Sequence, residues 1–324
     1  MLRRAFMTAA VVIAASLPGL GAVRADTYPS RPVTLVVPFS AGGGTDILAR
    51  MVAKELETVL LQPVVVDNRP GASGAVGAEN VMRSPPDGYK LLFGTSSVLA
   101  IAPVLQGGPA AHLIDGFTPV SLVATTALVL AVPQNSKIKT LQDYVAASKA
   151  GALTYGTFGI GSTPHLLGEL FAQESGAKLV HIPYKGAAQA LSDVSGGHIE
   201  SVFLTVTALA GSLKDHSIRG LAVADTERLA QFPDIPTFGD AGYPGLDDGG
   251  WFGIFLPKGV PADIRDRLSK AIGKVLTSEK VAREFTTVGM TAQISTPEQL
   301  QARWDASVKM VRNVQATTHI DMSK

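Results

Sequence analysis

The first hydrophobic pattern that predicts structure is a strand followed by a glycine turn and a helix. Residues 33–38 form a short apolar run with three valines, which is typical of a buried strand. Residues 40–44, Ser-Ala-Gly-Gly-Gly, cannot continue it, and apolar residues then recur at helical spacing up to Leu60. Gly44 or Thr45 is the predicted N-cap. The unpaired N–H groups of such a helix could hold an anion, although an ordinary βα turn is the alternative.

A second unit of the same kind lies in the other half of the chain. Residues 153–157 predict a strand, and the glycine turn after it leads into a helix with Thr163 as N-cap and Pro164 as the first helical residue. Two such units favour two anion-facing helix N-termini across a cleft, against the alternative of two unrelated turns.

Strand and helix patterns alternate along the rest of the chain. Strands are predicted at residues 63–66, 90–93, 179–183, 198–205, 218–223 and 251–256. Helices are predicted at residues 75–83, 136–150, 187–194, 261–276, 281–285 and 297–314. This alternation predicts parallel α/β sheets, in which ligands bind beyond the carboxyl ends of the strands. Residues 119–132, apolar and β-branched, are interpreted as a strand that crosses between two domains, and residues 94–97 as a polar loop.

Composition narrows the class of protein. The chain has 324 residues, of which 46% are hydrophobic and 17% charged, enough for one large or two medium domains. The formal charge of +1 indicates neither nucleic acid nor an anionic membrane surface as a partner. The absence of cysteine removes disulfides, thiolate metal sites and cysteine nucleophiles.

The N-terminus has the features of a secretory signal peptide. Leu2-Arg3-Arg4 is a basic start, residues 9–22 are apolar and small, and Val23-Arg24-Ala25 fits a cleavage site. We expect export and cleavage near Ala25. Arg3-Arg4 also fits part of a twin-arginine signal, so the route of export stays open.

Catalytic and metal motifs are not found in the sequence. The six histidines show no metal-ligand spacing, and no GxSxG nucleophile elbow occurs. We therefore predict no enzyme activity, no metal and no cofactor. His165, in a first helical turn, is interpreted as a structural or ligand-contacting residue rather than a base.

Several short motifs, in the same order along the chain, closely resemble the Bug-type periplasmic receptors of tripartite tricarboxylate transporters (TctC-like proteins). They are Tyr28-Pro29-Ser30-Arg31-Pro32, the segment 36–46, Asn68-Arg69-Pro70-Gly71-Ala72, Pro86-Asp87-Gly88-Tyr89, Gly161-Ser162-Thr163-Pro164-His165, the segment 181–186 and Trp251-Phe252-Gly253. The resemblance covers essentially the whole chain after the signal peptide.

The resemblance implies a class II periplasmic-binding-protein fold, in which two α/β lobes are joined by two crossing strands with a ligand cleft between them. We assign residues 1–25 to the signal peptide, residues 26–124 and 250–324 to lobe one, and residues 125–249 to lobe two. The resemblance also implies a small carboxylated ligand, gripped by backbone N–H groups and waters from the two glycine loops.

The expected ligand-binding residues come from both lobes. They are Phe39, Ser40, Ala41, Gly43, Thr45, Asp46, Thr95 and Ser96 from lobe one, and Phe158, Gly159, Gly161, Ser162, Thr163, His165, Phe203, Leu204 and Thr205 from lobe two. Asp46 is expected to organise the helix start rather than touch an anion. The chain departs from the usual pattern at Ser40-Ala41, at Ile160, and at Phe203-Leu204, where many relatives carry Phe-Asp. Without that aspartate we expect a ligand that lacks an ammonium group, such as a dicarboxylate or an acid with an apolar body.

The resulting hypothesis is a monomeric periplasmic receptor that delivers a carboxylate to the integral membrane subunits of a tripartite tricarboxylate-type transporter. One alternative is a ligand-binding co-receptor for a membrane sensor kinase. A secreted hydrolase is a further alternative, which no nucleophile–base pair in the sequence supports.

Overall fold

A computed structural model describes residues 28–317 of the chain. The predicted signal peptide lies outside the described residues. In chain order the strands are β1 (Val33–Val37), β2 (Val64–Asn68), β3 (Lys90–Thr95), β4 (Phe117–Thr126), β5 (Leu128–Pro133), β6 (Leu153–Thr157), β7 (Leu179–Pro183), β8 (Ser201–Thr205), β9 (Ile218–Ala224), β10 (Trp251–Pro257) and β11 (Met290–Ala292).

The helices surround these strands. In chain order they are α1 (Gly44–Leu60), α2 (Ala75–Met82), α3 (Ala102–Leu105), α4 (Leu141–Ala150), α5 (Thr163–Ser175), α6 (Ala187–Ser195), α7 (Val206–Lys214), α8 (Ala262–Leu276), α9 (Glu279–Thr287) and α10 (Pro297–Thr317). A π-helical turn, Ser97–Ile101, leads directly into α3, and 3-10 turns occupy Ala72–Gly74 and Gly108–Asp115.

The strands form two sheets, and we call the part of the chain built on each sheet a lobe. Lobe one contains the sheet β11-β4-β10-β3-β1-β2, and lobe two contains the sheet β7-β6-β8-β5-β9. β1 is parallel to β2 and β3, and β6 is parallel to β7 and β8. The pairings β10–β3, β10–β4, β11–β4, β5–β8 and β5–β9 are antiparallel. The predicted parallel pairing therefore holds for β1, β2 and β3 in lobe one and for β6, β7 and β8 in lobe two, but not for the other strands.

The chain passes between the lobes at two adjacent points. One residue, Ala127, separates β4 from β5, and the chain returns through residues 225–250 into β10, which pairs with β4. Thr126 N–H donates to Gly250 O at 3.2 Å, and a Cβ atom on Gly249 would lie only 1.9 Å from Thr126 O. The two crossings therefore lie side by side, and they are so close that no side chain fits at Gly249.

Helix α1 is anchored by an apolar stripe. Leu48, Val52 and Leu56 are fully buried in a core that also contains Leu268 and Ile272 of α8. Full burial of one leucine side chain contributes roughly 1.5–3 kcal/mol. The stripe therefore fixes the orientation of α1 and, with it, the direction in which its N-terminus points.

Helix boundaries differ from the sequence predictions near the glycine loops. The N-cap of α1 is Gly43, which is extended (φ −83°, ψ 168°), rather than Gly44 or Thr45. The N-cap of α5 is Ser162, so Thr163 is already helical. β3 continues to Thr95 and a helical turn begins at Ser97, so residues 94–97 are not a loop. Helix α7 was not predicted at all.

Candidate ligand site between the lobes

Asp46 of α1 holds the first glycine loop in shape. Gly42 has a left-handed φ of +83°, which residues with side chains rarely adopt. Its N–H donates to Asp46 Oδ2 at 2.9 Å. Asp46 also accepts from Arg50 Nε at 3.0 Å and from Asn68 Nδ2 at 2.9 Å. The carboxylate is therefore committed to organising the loop, as the sequence predicted.

The charge of Asp46 is compensated within lobe one. Burial acts to raise the pKa of Asp46, which is 3% exposed. The Arg50 guanidinium, the Gly42 N–H and the Asn68 amide outweigh that effect and hold the pKa below its usual range. Asp46 is ionised at neutral pH, and its pairing with Arg50 leaves the loop able to present N–H groups to an anion.

His165 performs the equivalent task in the second glycine loop. Gly161 has a φ of +70°, and its N–H donates to His165 Nδ1 at 3.1 Å. Because Nδ1 accepts this bond, the assigned tautomer is neutral with its proton on Nε2, which lies 3.8 Å from Glu169 Oε1. Burial, with a smaller contribution from His181, lowers the pKa of His165 to about 3. Of the two roles left open for His165, the geometry supports the structural one.

The first turn of α1 keeps free hydrogen-bond donors. Its N-cap, Gly43, offers no side chain, and the first bond of the helix runs from Ile47 N–H to Gly43 O. Within residues 28–317 the N–H groups of Gly44, Thr45 and Asp46 therefore have no acceptor. These three donors lie at the positive end of the helix dipole, which favours an anion.

The first turn of α5 has used its donors. Ser162 Oγ accepts from His165 N–H at 3.4 Å, and Thr163 N–H donates to Ser97 Oγ of the opposite lobe at 2.9 Å. Pro164 has no N–H to offer. The prediction that α5 presents free N–H groups to a ligand is therefore wrong for this turn, because hydroxyl groups and a proline occupy the positions concerned.

Hydroxyl groups join the lobes at the start of α5. Thr163 Oγ1 lies 2.8 Å from Ser97 Oγ and 3.1 Å from Ser96 Oγ, and all three residues are buried. Trp251 N–H reaches Ser96 Oγ at 3.4 Å, which ties the returning strand β10 to the same group. This cluster fixes lobe two against lobe one beside the crossing strands.

A second set of contacts closes the opposite edge. Ser73 Oγ donates to Ile160 O at 2.5 Å, and Gln106 Nε2 donates to the same carbonyl at 2.6 Å. The rings of Phe39 and Phe158 meet edge to face with centroids 5.2 Å apart. The described chain is therefore in a closed arrangement, with each glycine loop in contact with the other lobe.

The start of α1 lies directly against the start of α7. A Cβ atom on Gly44 would lie 2.5 Å from Thr205 Oγ1, 3.2 Å from Thr207 Cβ and 3.3 Å from Ala208 N. By contrast, a Cβ atom on Gly43 would meet nothing closer than Ala187 Cβ, at 3.7 Å. Gly44 is therefore the residue of the glycine run that permits close approach of the lobes.

A cavity of about 210 Å³ opens between the lobes, beside the second glycine loop. Phe39 and residues 71–74 line it from lobe one, and residues 158–160 and 183–185 line it from lobe two. Its lining includes three aromatic residues, Phe39, Phe158 and Tyr184, and several glycines. This space borders the second glycine loop, and from lobe one it is lined by Phe39 and the turn 71–74 rather than by residues 40–44.

The predicted site residues fall into three groups. Those in contact with the opposite lobe are Phe39, Ser40, Gly43, Ser96, Phe158, Gly159, Gly161, Thr163 and Thr205. Asp46, Ser162 and His165 instead shape their own loops. Ala41 is exposed, Thr45 is buried in the first turn of α1, and Thr95 Oγ1 accepts from Val98 N–H at 3.3 Å within lobe one.

Phe203 and Leu204 do not form a wall of the cleft. Both are fully buried in β8, where successive side chains point to opposite faces of the sheet. Phe203 packs in an apolar cluster with Phe171 and Phe238, and Leu204 belongs to the cluster on the other face. The structure therefore does not support the ligand contact predicted at these two positions, because helices cover both faces of this central strand.

Sequence reasoning missed four residues at the boundary between the lobes: Gly44, Ser73, Gln106 and Thr207. Gly44 could have been found, since it closes the run of three glycines. Nothing in the sequence marks Ser73 or Gln106, and Thr207 lies in the helix that was not predicted.

Comparison with known proteins assigns the family. The model of the tripartite tricarboxylate transporter family receptor matches residues 48–314. The chain belongs to this receptor family. BugT of Bordetella pertussis (strain Tohama I) is 37% identical to the receptor over 280 residues, which cover 86% of each chain. The family resemblance predicted from the motifs is thus confirmed.

Solved structures confirm the two-lobed periplasmic-binding-protein fold. Periplasmic binding protein BugD is 29% identical to the receptor with a TM-score of 0.84, covering 89% of this chain and 98% of its own. An R. palustris protein solved with adipate is 32% identical with a TM-score of 0.86, covering 90% and 98%. MatC from Rhodopseudomonas palustris, with bound malate, is 28% identical with a TM-score of 0.84, covering 89% and 99%.

The receptor is thus a periplasmic solute-binding protein by family, and its relatives are binding proteins rather than enzymes. Within residues 28–317, none of the helices is both long and apolar enough to cross a bilayer. Cleavage near Ala25 stays a prediction, since that segment lies outside the described residues.

Proposed function

We propose that the receptor binds a small carboxylate without an ammonium group, above all a dicarboxylate, between its lobes. It then delivers this ligand, as a monomer, to the integral membrane subunits of a tripartite tricarboxylate-type transporter. Export across the inner membrane, with cleavage near Ala25, is part of the same proposal.

The observation that carries this proposal is the first turn of α1. The N–H groups of Gly44, Thr45 and Asp46 lack protein acceptors in the described chain, and they lie where lobe two approaches. Buried donors left without acceptors cost free energy, so a ligand that supplies acceptor oxygens stabilises the closed form. A carboxylate supplies such oxygens and also interacts favourably with the helix dipole.

The groups around this turn disfavour an amino acid ligand. A buried ammonium group needs a carboxylate partner. The buried acid nearest to the turn, Asp46, is already bonded to Arg50, Asn68 and Gly42. Lobe two contributes the hydroxyl groups of Thr205 and Thr207 at this point rather than an acid. The relatives solved with adipate and malate bind ligands of the proposed class.

Release and delivery require the lobes to separate. We place the hinge at residues 124–127 and 249–250, where the chain crosses between the sheets and Gly249 leaves no room for a side chain. Opening there breaks the hydroxyl cluster of Ser96, Ser97 and Thr163 and exposes the first turn of α1.

Matched ligand pairs test the proposal directly. The mature protein is unfolded, freed of bound small molecules, refolded and titrated by calorimetry with succinate and aspartate, and with glutarate and glutamate. Each pair differs by one ammonium group, and we expect the acid that lacks it to bind at least tenfold more tightly, about 1.4 kcal/mol. Mass spectrometry of the denatured protein identifies the species that co-purifies.

Two results would contradict the proposal at different levels. Tighter binding of aspartate and glutamate would overturn the ligand class but leave a carboxylate receptor. Failure of every carboxylate to bind, or to raise the melting temperature at high concentration, would overturn the function. A ligand at a hundredfold excess over Kd should add about 2.7 kcal/mol to the free energy of unfolding.

A further inference from the structure

Thr207, in the first turn of α7, carries a hydroxyl group with an unusual environment. The residue is 4% exposed, and Oγ1 is fully buried with no hydrogen-bond partner among the described residues. It is the one side-chain atom of the described residues in this condition. A buried hydroxyl group without a partner is destabilising, so its retention points to a partner that binds only at times.

The position of Thr207 identifies where that partner must lie. A Cβ atom on Gly44 would lie 3.2 Å from Thr207 Cβ, so the first turns of α1 and α7 are in contact. Neither helix has a side-chain cap: Gly43 precedes α1, and the hydroxyl of Thr205 does not cap α7. Two uncapped helix N-termini, one from each lobe, therefore meet beside Thr207.

We propose that Thr207 is the lobe-two half of the anion site, donating its hydroxyl proton to the ligand carboxylate that the N–H groups of Gly44, Thr45 and Asp46 hold from lobe one. The helix opposite α1 across the ligand is then α7, whose residues the motif analysis did not connect with binding, rather than α5. This inference rests on the proposed function and names the residue that couples ligand binding to closure.

The same hydroxyl group disfavours closure of the empty receptor. When the lobes close without ligand, Thr207 Oγ1 loses water and gains nothing, whereas closure around a carboxylate provides an acceptor. Thr207 thus contributes to the affinity for the ligand and opposes closure in its absence. A residue that merely fills space would do neither.

Thr207→Val is the informative variant, because valine has nearly the same shape but no hydroxyl group. With malate or adipate as the titrant, whichever the wild-type protein binds, we expect Kd to rise about tenfold. In the absence of ligand we expect the melting temperature to stay equal or to rise, since a buried unpaired group has been removed. Small-angle scattering should show the empty variant to be more compact than the empty wild type.

Two control variants separate hydrogen bonding from packing. Thr207→Ser keeps the hydroxyl group and removes only the methyl, so it should retain clearly more affinity than Thr207→Val. Ser148→Ala removes a buried hydroxyl that donates to Val145 O within α4, so it should lower stability and leave Kd unchanged.

Several outcomes overturn the inference. A Thr207→Val protein with Kd within twofold of wild type, or an equal loss in Thr207→Ser, shows that the hydroxyl does not contact the ligand. A Thr207→Val protein that is destabilised without ligand shows a structural partner instead. If the wild type binds carboxylates while Thr207→Val is unaffected, only this inference fails; if the wild type binds none, the proposed function fails with it.

Discussion

Helices α1 and α5 both follow a glycine with a left-handed φ whose N–H is held by the side chain four residues later. In lobe one that side chain is the Asp46 carboxylate, and in lobe two it is the neutral His165 imidazole. The N-caps differ as well, since Gly43 leaves the first turn of α1 uncapped and Ser162 caps that of α5.

The difference shows that similar glycine loops can serve different tasks. The first turn of α1 retains unbonded N–H donors, whereas that of α5 has its donors bonded within the protein and to Ser97. We infer that the ligand binds to α1 first and that α5 then secures the closed form through Thr163. With these tasks on separate helices, the receptor can hold the ligand on lobe one and still open by breaking the contacts of α5.

The largest expected effect comes from adding one methyl group at the start of α1. In Gly44→Ala the new Cβ would lie 2.5 Å from Thr205 Oγ1 and 3.3 Å from the backbone nitrogen of Ala208, so the lobes cannot close fully. We expect Kd for the bound carboxylate to rise about a hundredfold, which corresponds to about 2.8 kcal/mol. Calorimetry measures the affinity, and small-angle scattering with saturating ligand measures the failure to close.

Gly43→Ala is the matched variant, because its Cβ would meet Ala187 only at 3.7 Å and its backbone conformation suits any residue. Its loss should be several times smaller than that of Gly44→Ala. Alanine favours helix more than glycine by about 1 kcal/mol, so Gly44→Ala should not be less stable without ligand. Equal affinities in the two variants would show that α1 does not approach α7 in solution.

The fold could be predicted largely from the sequence because its signals are local. The apolar stripe of α1 appears in the structure as expected, and the helix predicted within residues 136–150 begins at a capping box formed by Thr140 and Asp143. α7 was missed because Thr205, Val206 and Thr207 join β8 to it, and these β-branched residues continue the strand pattern and conceal the helix start. The antiparallel β5 and β10 depend on long-range crossing, which no local pattern reports.

The site was only partly predictable for a related reason. The glycine loops carry their own sequence signal, and Phe39, Phe158 and Thr163, which were expected to bind the ligand, lie at the boundary between the lobes. Which face of β8 meets a ligand could not be read from Phe203-Leu204, because both faces of that strand are covered. Whether a helix N-terminus is free depends on hydroxyl groups from distant segments, such as Ser97.

Removing the carboxylate of Asp46 tests how lobe one keeps its donors in place. In Asp46→Ala the Gly42 N–H and the Asn68 amide lose their acceptor, and Arg50 loses its partner. Losing hydrogen bonds to a buried charge should lower the free energy of unfolding by about 2–3 kcal/mol, measured by urea denaturation. Affinity should fall too, because the loop before α1 is released. Unchanged stability and affinity would show that Asp46 does not organise the loop.

His165 of lobe two makes the free energy of unfolding depend on pH. The pKa of His165 is about 3 in the folded protein, whereas it is 6.5 for a histidine without these interactions. The unfolded chain therefore binds more protons between these values, and the contribution of neutral His165 is lost as pH falls from 6.5 toward 3. The slope reaches about 1.4 kcal/mol per pH unit. The lowered pKa of Asp46 acts only at lower pH, below its unperturbed value of 3.8.

Urea denaturation of wild type and His165→Asn from pH 7 to 4 resolves this difference. Asparagine does not titrate, and its Oδ1 can accept from Gly161 N–H in place of Nδ1. We expect the free energy of unfolding of the variant to change less with pH than that of wild type. Parallel curves would show that His165 is not the group responsible, and His181, stacked on it at 3.7 Å, would be tested next.

The smallest effect concerns the securing role of α5. Thr163→Val removes the hydroxyl shared with Ser96 and Ser97, while the Thr163 N–H can still donate to Ser97 Oγ. We expect about a fivefold rise in Kd, or about 1 kcal/mol, because these bonds exist only when the lobes are closed. Stability without ligand should hardly change, since an open receptor has not yet made the bonds.

The control is Ser201→Ala, which breaks bonds to Tyr144 and Thr154 inside lobe two and should lower stability without altering affinity. If Thr163→Val instead destabilised the empty protein by as much as it weakened binding, the lobes would already be closed without ligand. Closure would then not follow binding, and the division of tasks between α1 and α5 would have to be abandoned.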